Sequence, residues 1–265
     1  MWIDTHCHLD FDPLHNNIDC ELKLCYENKV NSIIVPSIKP DNIKKVIEIS
    51  EMHHNCFYAL GFHPMYVDDL NDSHLDQLEE SIKNSNPIAV GEIGLDLFVR
   101  KDNLERQEYF LLKQLQIAKK YDLPVILHVR SAIDVILKHL RKNKVRGGVA
   151  HAFNGSFQQA EQFIKMGFKL GIGGAMTYPR AKHLQKIARE LPLNAIVLET
   201  DAPDMPPIWR REKGYNRPSE INQIGIFFAE LRGVNPLIIA DNIRVNTQQV
   251  FPKLLELCTW VQDLL

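Results

Sequence analysis

The chain has 265 residues, of which 45% are hydrophobic and 24% are charged. This composition is typical of a globular protein with one substantial core, and no segment is of low complexity. The formal net charge is -2, from 31 basic and 33 acidic residues, so a phosphate-rich partner would have to be bound by a local positive site.

The cysteines and the apolar segments bear on where the protein resides. No signal peptide precedes the first apolar segment, and no apolar run reaches the length of a membrane span. We therefore expect a reduced, cytoplasmic protein with no membrane association and no obligate protein partner. Five cysteines form no CxxC pair, and their odd number leaves one unpaired: Cys7, Cys20, Cys25, Cys56 and Cys258.

Short apolar, β-branched segments alternate with amphipathic segments along the first 200 residues. The amphipathic segments are predicted helices, the clearest of them beginning at Asp102, where Glu105 completes a capping box. The apolar segments are predicted strands, and there are eight: 2–5, 32–35, 57–61, 88–91, 125–127, 148–150, 169–172 and 196–199.

Eight strands separated by helices indicate a parallel sheet, because parallel strands need long crossovers. The number and the length predict an α/β fold, a (β/α)8 TIM barrel that forms a single domain over 1–265. An open doubly wound sheet is the alternative, but no G-x-G-x-x-G follows the first strand. After Asp201 we predict a proline-rich loop at 202–218 and further helices, with Ser219 as an N-cap and Pro252 as an interruption.

Polar residues of the kinds that bind metals follow six of the predicted strands. In a (β/α)8 barrel the active site lies at the carboxyl ends of the strands. Taken singly, each residue could be structural, but together they favour a metal site. They are His6 and His8 after the first strand, His63 after the third, Glu92 after the fourth, His128 after the fifth, His151 after the sixth and Asp201 after the eighth.

His6 and His8 have a geometric reason to act as a pair. Residues two apart on a strand share a face and lie roughly 6.6 Å apart along it. Two imidazoles at this spacing can converge on one ion, about 2.0–2.1 Å from each nitrogen. Cys7 would point to the other side, so we interpret it as a small packing residue.

Seven motifs, in this order, resemble those of the TatD-type metal-dependent hydrolases, a group within the amidohydrolase-like superfamily. The resemblance extends from Ile3 to about Phe251, and the motifs are IDTHCHLD, GFHP, VGEIGLD, PVILHVR, HAFNGS, GIGG and LETDAPDMP. It implies two divalent metal ions, with Mg, Mn and Zn as candidates. By position, one ion would be held by His6, His8 and Asp201, the other by His128 and His151, and Glu92 would bridge them.

The activity that the resemblance implies is removal of nucleotides from the 3′ ends of single-stranded DNA, or sometimes RNA, by metal-activated water. Two divalent ions held by two carboxylates keep an excess of about two positive charges, which would attract phosphate. We expect Glu92 and Asp201 to be catalytic, with Asp201 orienting and deprotonating the water. By the same resemblance, His63 borders the pocket and contacts substrate.

Three other residues each have two open interpretations. Arg130, two residues after His128, could bind phosphate or form a surface salt bridge, and the same holds for Arg217 in the N-R-P motif. Glu199 lies two residues before Asp201 on the same face. It could orient a histidine ligand from behind, or it could be a buried acid paired within the barrel.

Two other functions stay open. The same metals could serve a hydrolase of C–N or carboxylic ester bonds, such as an amidohydrolase, a lactonase or a deacylase. Many such relatives bridge their metals with a modified lysine after the fourth strand, where this chain has Gly91, Glu92 and Ile93. The second alternative, a non-catalytic metal-binding scaffold, would be supported by a missing ligand, and none is missing.

Overall fold

A cylinder of eight parallel strands lies at the centre of the protein. The structure is a computed structural model that describes residues 1–258, with side chains as far as Leu255. Each strand pairs in parallel with the next one along the chain, in the order β1 to β8. The strands are β1 (Trp2–Asp4), β2 (Val30–Pro36), β3 (Cys56–Leu60), β4 (Ala89–Asp96), β5 (Val125–Arg130), β6 (Gly148–Ala150), β7 (Phe168–Ile172) and β8 (Ile196–Leu198).

Helices connect the strands, as parallel pairing requires, and this confirms the predicted barrel. The seven crossover helices are α1 (Ile18–Glu27), α2 (Pro40–Met52), α3 (Asp72–Ser85), α4 (Leu104–Lys120), α5 (Ile133–Lys142), α6 (Phe157–Lys165) and α7 (Lys182–Glu190). Three more follow β8: α8 (Ile221–Arg232), α9 (Pro236–Val250) and α10 (Lys253–Cys258). Pro252 separates the last two, as predicted.

The barrel is closed between β1 and β8 by the residues that follow the two strands. No continuous strand pairing is recorded there, but an isolated bridge joins Cys7 to Ala202. Three backbone hydrogen bonds cross this seam, donated by Thr5 to Leu198 (3.1 Å), by Asp201 to His6 (2.9 Å) and by His8 to Ala202 (2.7 Å). The seam therefore joins the segments that carry His6, His8 and Asp201.

Successive side chains of each strand point alternately into and out of the barrel, and they form two hydrophobic cores. The inner one fills the barrel with residues such as Ile34, Ile126, Val149 and Val197, and Phe251 joins it. The segment after α9 closes the amino-terminal end, because the Lys253 ammonium donates to the carbonyl of Pro87, just before β4 (2.9 Å). The outer core packs the other strand faces against the helices.

The structure corrects three local predictions. β4 runs eight residues to Asp96, beyond the predicted 88–91, because its second half pairs with β5. Helix α4 begins at Leu104 without a side-chain cap, since Asp102 accepts hydrogen bonds from Arg100 instead. Ser219 lies inside a short 3-10 turn, so it does not cap α8.

The cysteine side chains that the structure describes are free thiols. Cys7, Cys25 and Cys56 are buried and Cys20 is exposed, while the side chain of Cys258 lies outside the described residues. Burial raises the pKa of the Cys56 thiol to about 12. Cys7 packs in the outer core, on the side away from the histidines, in accord with a packing role.

Within residues 1–258, no single helix is long and apolar enough to cross a membrane. One bent pair, Pro218–Arg232 with Pro236–Val250 at 111°, meets that length and composition only when its two members are taken together.

Candidate metal centre

The alternation inside the barrel places the predicted site residues at its carboxyl end. Ile126 and Val149 belong to the inner core, and the residues two positions later are His128 and His151. Val197 likewise precedes Glu199 by two. These three strands, β5, β6 and β8, therefore contribute apolar side chains below and polar ones at the mouth.

Glu92 lies at the centre of this polar cluster, with 2% of its surface exposed. Its Oε2 is 3.2 Å from His6 Nε2 and 3.6 Å from His8 Nε2. Its Oε1 faces a different set, at 2.9 Å from His128 Nδ1, 3.5 Å from His63 Nε2 and 3.6 Å from His151 Nε2. The two carboxylate oxygens thus face separate groups of imidazoles.

On the Oε2 side, three donor atoms have the spacing of ligands to one ion. His6 Nε2 lies 3.3 Å from His8 Nε2, and Asp201 Oδ1 lies 3.5 Å from the former and 3.7 Å from the latter. Donors at about 2.0–2.1 Å from a tetrahedral ion are separated by roughly 3.3 Å. His6, His8 and Asp201 therefore fit a divalent cation, and Glu92 Oε2 lies beside the two imidazoles of this group.

On the Oε1 side, His128, His151 and His63 surround the second carboxylate oxygen. The Met65 backbone amide donates to His63 Nδ1 (3.1 Å), and burial lowers the pKa of His63 to about 3. A neutral imidazole that accepts at Nδ1 carries its proton on Nε2. In this arrangement His63 Nε2 is a hydrogen-bond donor at the site, whereas His128 and His151 remain the candidate ligands.

The charges of the cluster depend on one another. Burial alone would raise the pKa of Glu92, but His63, His6 and His151 outweigh burial and hold it well below its usual range. Burial, together with His151, lowers the pKa of His6. Glu92 is consequently an anion and His6 a neutral imidazole, which are the forms that bind metals.

Glu199 lies directly behind His151. Its Oε1 is 3.2 Å from His151 Nδ1 and accepts a hydrogen bond from the Ala152 amide (2.5 Å). Burial would lower the pKa of His151, but Glu199, followed by Asp201 and Glu92, raises it to about 10. A Cβ at Gly171 would collide with the Glu199 carboxylate, so only glycine leaves room for this acid.

Asp96 is a site residue that the sequence prediction missed. Its Oδ2 lies 3.1 Å from His128 Nε2, and burial is outweighed by this hydrogen bond, so the pKa of Asp96 falls to about 2. The signal was its spacing of four residues from Glu92 in VGEIGLD, which gives a shared face on a strand. The strand predicted from the sequence ends at Gly91, so Asp96 lies outside it, whereas the observed strand extends to Asp96.

A cavity of about 880 Å³ opens above the cluster. Ser131, Ala152 and Asp201 line it with φ values of 57°, 47° and 56°, a left-handed backbone that non-glycine residues adopt at an energetic cost. These residues follow β5, β6 and β8. The strained backbone thus falls at the strand ends that carry the site.

The two predicted phosphate-binding arginines lie in different places. Arg130 lines the cavity, with its guanidinium 4.2 Å from the centre of the Phe98 ring. Arg217 is absent from the cavity wall described by the structure. Its Nε lies 3.4 Å from the buried Glu21 carboxylate, and it donates to the Tyr215 hydroxyl (2.7 Å).

The barrel and its ring of imidazoles and carboxylates define a metal-dependent hydrolase. The family model described as TatD related DNase matches residues 3–252, so the chain belongs to the TatD family. It is 40% identical to the metal-dependent hydrolase YjjV of Escherichia coli K12 over 253 residues, which are 94% of this chain and 97% of that protein. It is 34% identical to a metal-dependent hydrolase of Haemophilus influenzae over 94% of this chain and 99% of that one.

Solved structures agree with the fold. The crystal structure of YjjV, a TatD homologue from Escherichia coli K12, matches with a TM-score of 0.91 at 39% identity, covering 95% of this chain and 98% of that one. A TatD family hydrolase of Entamoeba histolytica matches with a TM-score of 0.81 at 23% identity, covering 94% and 97%. The second likeness shows the fold alone.

Proposed function

We propose that the protein is a two-metal phosphodiesterase that removes nucleotides from the 3′ ends of single-stranded DNA, or of RNA. The observation that carries this proposal is the position of Glu92, whose two oxygens each face their own group of donors. A carboxylate so placed can bridge two ions, and two ions suit in-line displacement at phosphorus. The description of the family as TatD related DNase supports the substrate.

Each cation would have its own ligands under this proposal. His6, His8 and Asp201 would hold one, His128 and His151 the other, and Glu92 would bridge them. Imidazoles with carboxylates accept Mg, Mn or Zn. When bound, the cations would supply Lewis acidity, which activates water and stabilises negative charge on the phosphoryl oxygens.

The chain's own residues would orient the attacking water and the phosphate, and would accept or donate protons. Asp201 lines the cavity and has Oδ1 beside His6 and His8, and its carboxylate would orient a water molecule and accept its proton. His63 would donate from Nε2 to a phosphate oxygen, and Arg130 would bind another phosphate oxygen at the rim. Glu199 and Asp96 would fix the rings of His151 and His128 from behind.

Two further parts of the proposal concern the whole chain. We propose that residues 1–265 act as one catalytic domain. We also place the enzyme in the reducing cytoplasm, and the free thiols of Cys7, Cys20, Cys25 and Cys56 support this placement.

The test is degradation of a 5′-labelled single-stranded oligonucleotide by the purified protein with Mn²⁺ or Mg²⁺. We expect stepwise shortening from the 3′ end and release of mononucleotides, which EDTA abolishes. Asp201→Asn should lower kcat by about 10²–10⁴-fold, because it removes the group that accepts the proton. The matched control is Asp241→Asn, on the exposed surface of α9, which should retain wild-type kcat.

The other outcomes separate the alternatives. Activity that persists in EDTA would refute the metal mechanism. An intact oligonucleotide together with cleaved carboxylic esters or amides would favour the C–N and ester hydrolases. Bound metal without turnover of any of these substrates would leave a metal-binding scaffold.

A further inference from the structure

Phe98 is an exposed aromatic ring at the mouth of the cavity. It lies in the loop between β4 and α4, is 64% exposed and contributes to the cavity wall. The guanidinium of Arg130 lies over the ring, 4.2 Å from its centre. The exposed surface of the ring is therefore available to stack on a ligand that enters the cavity.

Hydrogen bonds to Asp96, which also contacts the candidate ligand His128, hold the backbone of the Phe98 loop. Asp96 Oδ1 accepts hydrogen bonds from the backbone amides of Phe98 (2.9 Å) and Val99 (2.8 Å), while Asp96 Oδ2 contacts His128. From behind, the buried Gln107 side chain accepts from the Asp96 amide (2.8 Å) and donates to the Asp96 carbonyl (3.2 Å). The loop backbone is therefore ordered before a ligand arrives, which lowers the entropic cost of binding.

The register of β4 and β5 fixes Arg130 beside the ring. Asp96 pairs with Arg130, and the Leu97 amide donates to the Arg130 carbonyl (2.9 Å). Among the described residues that line the cavity, Arg130 is the one lysine or arginine. The carboxylates on the same wall number five: Asp12, Glu92, Asp96, Asp201 and Asp204. A polyanion that approaches the metal centre thus meets one guanidinium on this wall, and that guanidinium lies against an aromatic face.

We propose that Phe98 and Arg130 form a stacking platform for an unpaired nucleobase next to the scissile phosphate. The proposal rests on the nuclease function proposed above and narrows its substrate to single-stranded polynucleotides. Every base has a π-face, so stacking tolerates any sequence, whereas a base inside a duplex is not free to stack. Arg130 supports the ring by a cation–π contact and leaves N–H groups for the phosphate.

The experiment compares steady-state kinetics on an intact single strand and on strands with one abasic residue, at the 3′-terminal or the penultimate position. The manganese-loaded enzyme should show a KM that is roughly 5- to 150-fold higher for one of the abasic strands, the range expected for loss of one stacked base. Phe98→Ala should raise the KM for the intact strand by a similar factor with little change in kcat. It should also lower the abasic penalty, which is the ratio of the KM for the abasic strand to the KM for the intact strand. Phe98→Trp should restore the wild-type KM, because indole stacks as well.

Val99→Ala is the matched control, since Val99 is 46% exposed on the same loop and lies outside the cavity wall. It should retain the wild-type KM and the abasic penalty. If the wild-type enzyme degrades neither strand, the proposed function fails. If it degrades both with equal KM, or if Phe98→Ala keeps the wild-type KM, the platform is refuted while the nuclease stands. A fall in kcat with an unchanged abasic penalty would also refute it.

Discussion

At the scale of single residues, the candidate centre depends on acids that contact its histidines and lie outside the proposed ligand set. Asp96 orients His128 through one oxygen and holds the Phe98 loop through the other. Glu199 acts similarly on His151. Such partners of ligands fix the ring orientation and typically contribute 10- to 100-fold to metal affinity or activity.

Two substitutions at Asp96 separate its two roles. Asp96→Asn keeps a neutral oxygen for the Phe98 and Val99 amides but removes the charge beside His128, so we expect a 10- to 100-fold loss of metal affinity. Asp96→Ala should also lower the free energy of unfolding by about 0.5–1.5 kcal/mol, because the partly buried amides of Phe98 and Val99 lose their acceptor. Chelator competition measures the first effect and denaturant unfolding the second. Wild-type metal affinity in Asp96→Asn would show that the contact with His128 has no orienting role.

At the scale of elements, the seam between β1 and β8 positions three of the candidate ligands. Asp4, fully buried in β1, accepts hydrogen bonds from the Thr200 hydroxyl (2.5 Å) and the Thr200 amide (2.9 Å). Burial raises the pKa of Asp4 to about 8. The Thr200 hydroxyl in turn accepts from the Ala202 amide (3.2 Å), so one side chain connects β1 to the segment that carries Asp201.

Thr200→Val should weaken this seam. The variant keeps the shape of the side chain but removes the hydroxyl that donates to Asp4 Oδ2 and accepts from the Ala202 amide, while the Thr200 amide still donates to Asp4 Oδ1. We expect the free energy of unfolding to fall by about 1–3 kcal/mol, because buried polar groups lose their partner. The melting temperature should fall by about 2–4 °C per kcal/mol. The control is Thr247→Val in α9, whose buried hydroxyl only donates to the Ile243 carbonyl. Equal losses in the two variants would show that the seam makes no special contribution.

The strands and the residues at their ends could be predicted from the sequence because both follow from local patterns. β-branched segments give the strands, and a residue two positions beyond an inner apolar residue must face the mouth, as His128 does. Contacts between distant segments could not be read in this way. Arg217 pairs with Glu21 of α1, a separation that no local pattern encodes. Similarly, the sequence predicts that α4 begins at Asp102, but the Asp102 carboxylate accepts hydrogen bonds from the Arg100 side chain and does not cap the helix.

At the scale of the whole molecule, the residues that stabilise the fold and the residues of the candidate site lie at opposite ends of the barrel. The amino-terminal end is filled with apolar side chains, including Val250 and Leu254 from the last helices. The other end holds a dense set of titratable groups, where Glu199, Asp201 and Glu92 favour a proton on His151. A divalent cation must displace that proton, so its affinity should rise with pH up to the pKa of His151, about 10.

Metal binding should therefore stabilise the entire fold. A ligand that binds only the folded state at one hundred times its Kd adds about 2.7 kcal/mol, which corresponds to a rise of about 5–10 °C in melting temperature for a chain of this size. We expect this rise when EDTA-treated protein receives Mn²⁺ or Zn²⁺ in a thermal scan. Glu92→Gln, which lacks the proposed bridge, should show a much smaller rise. Equal melting temperatures with and without metal would contradict a bound cation at the barrel mouth. Because the shift depends only on concentration and Kd, titrations with Mg²⁺, Mn²⁺ and Zn²⁺ rank their affinities without any assumption about the substrate.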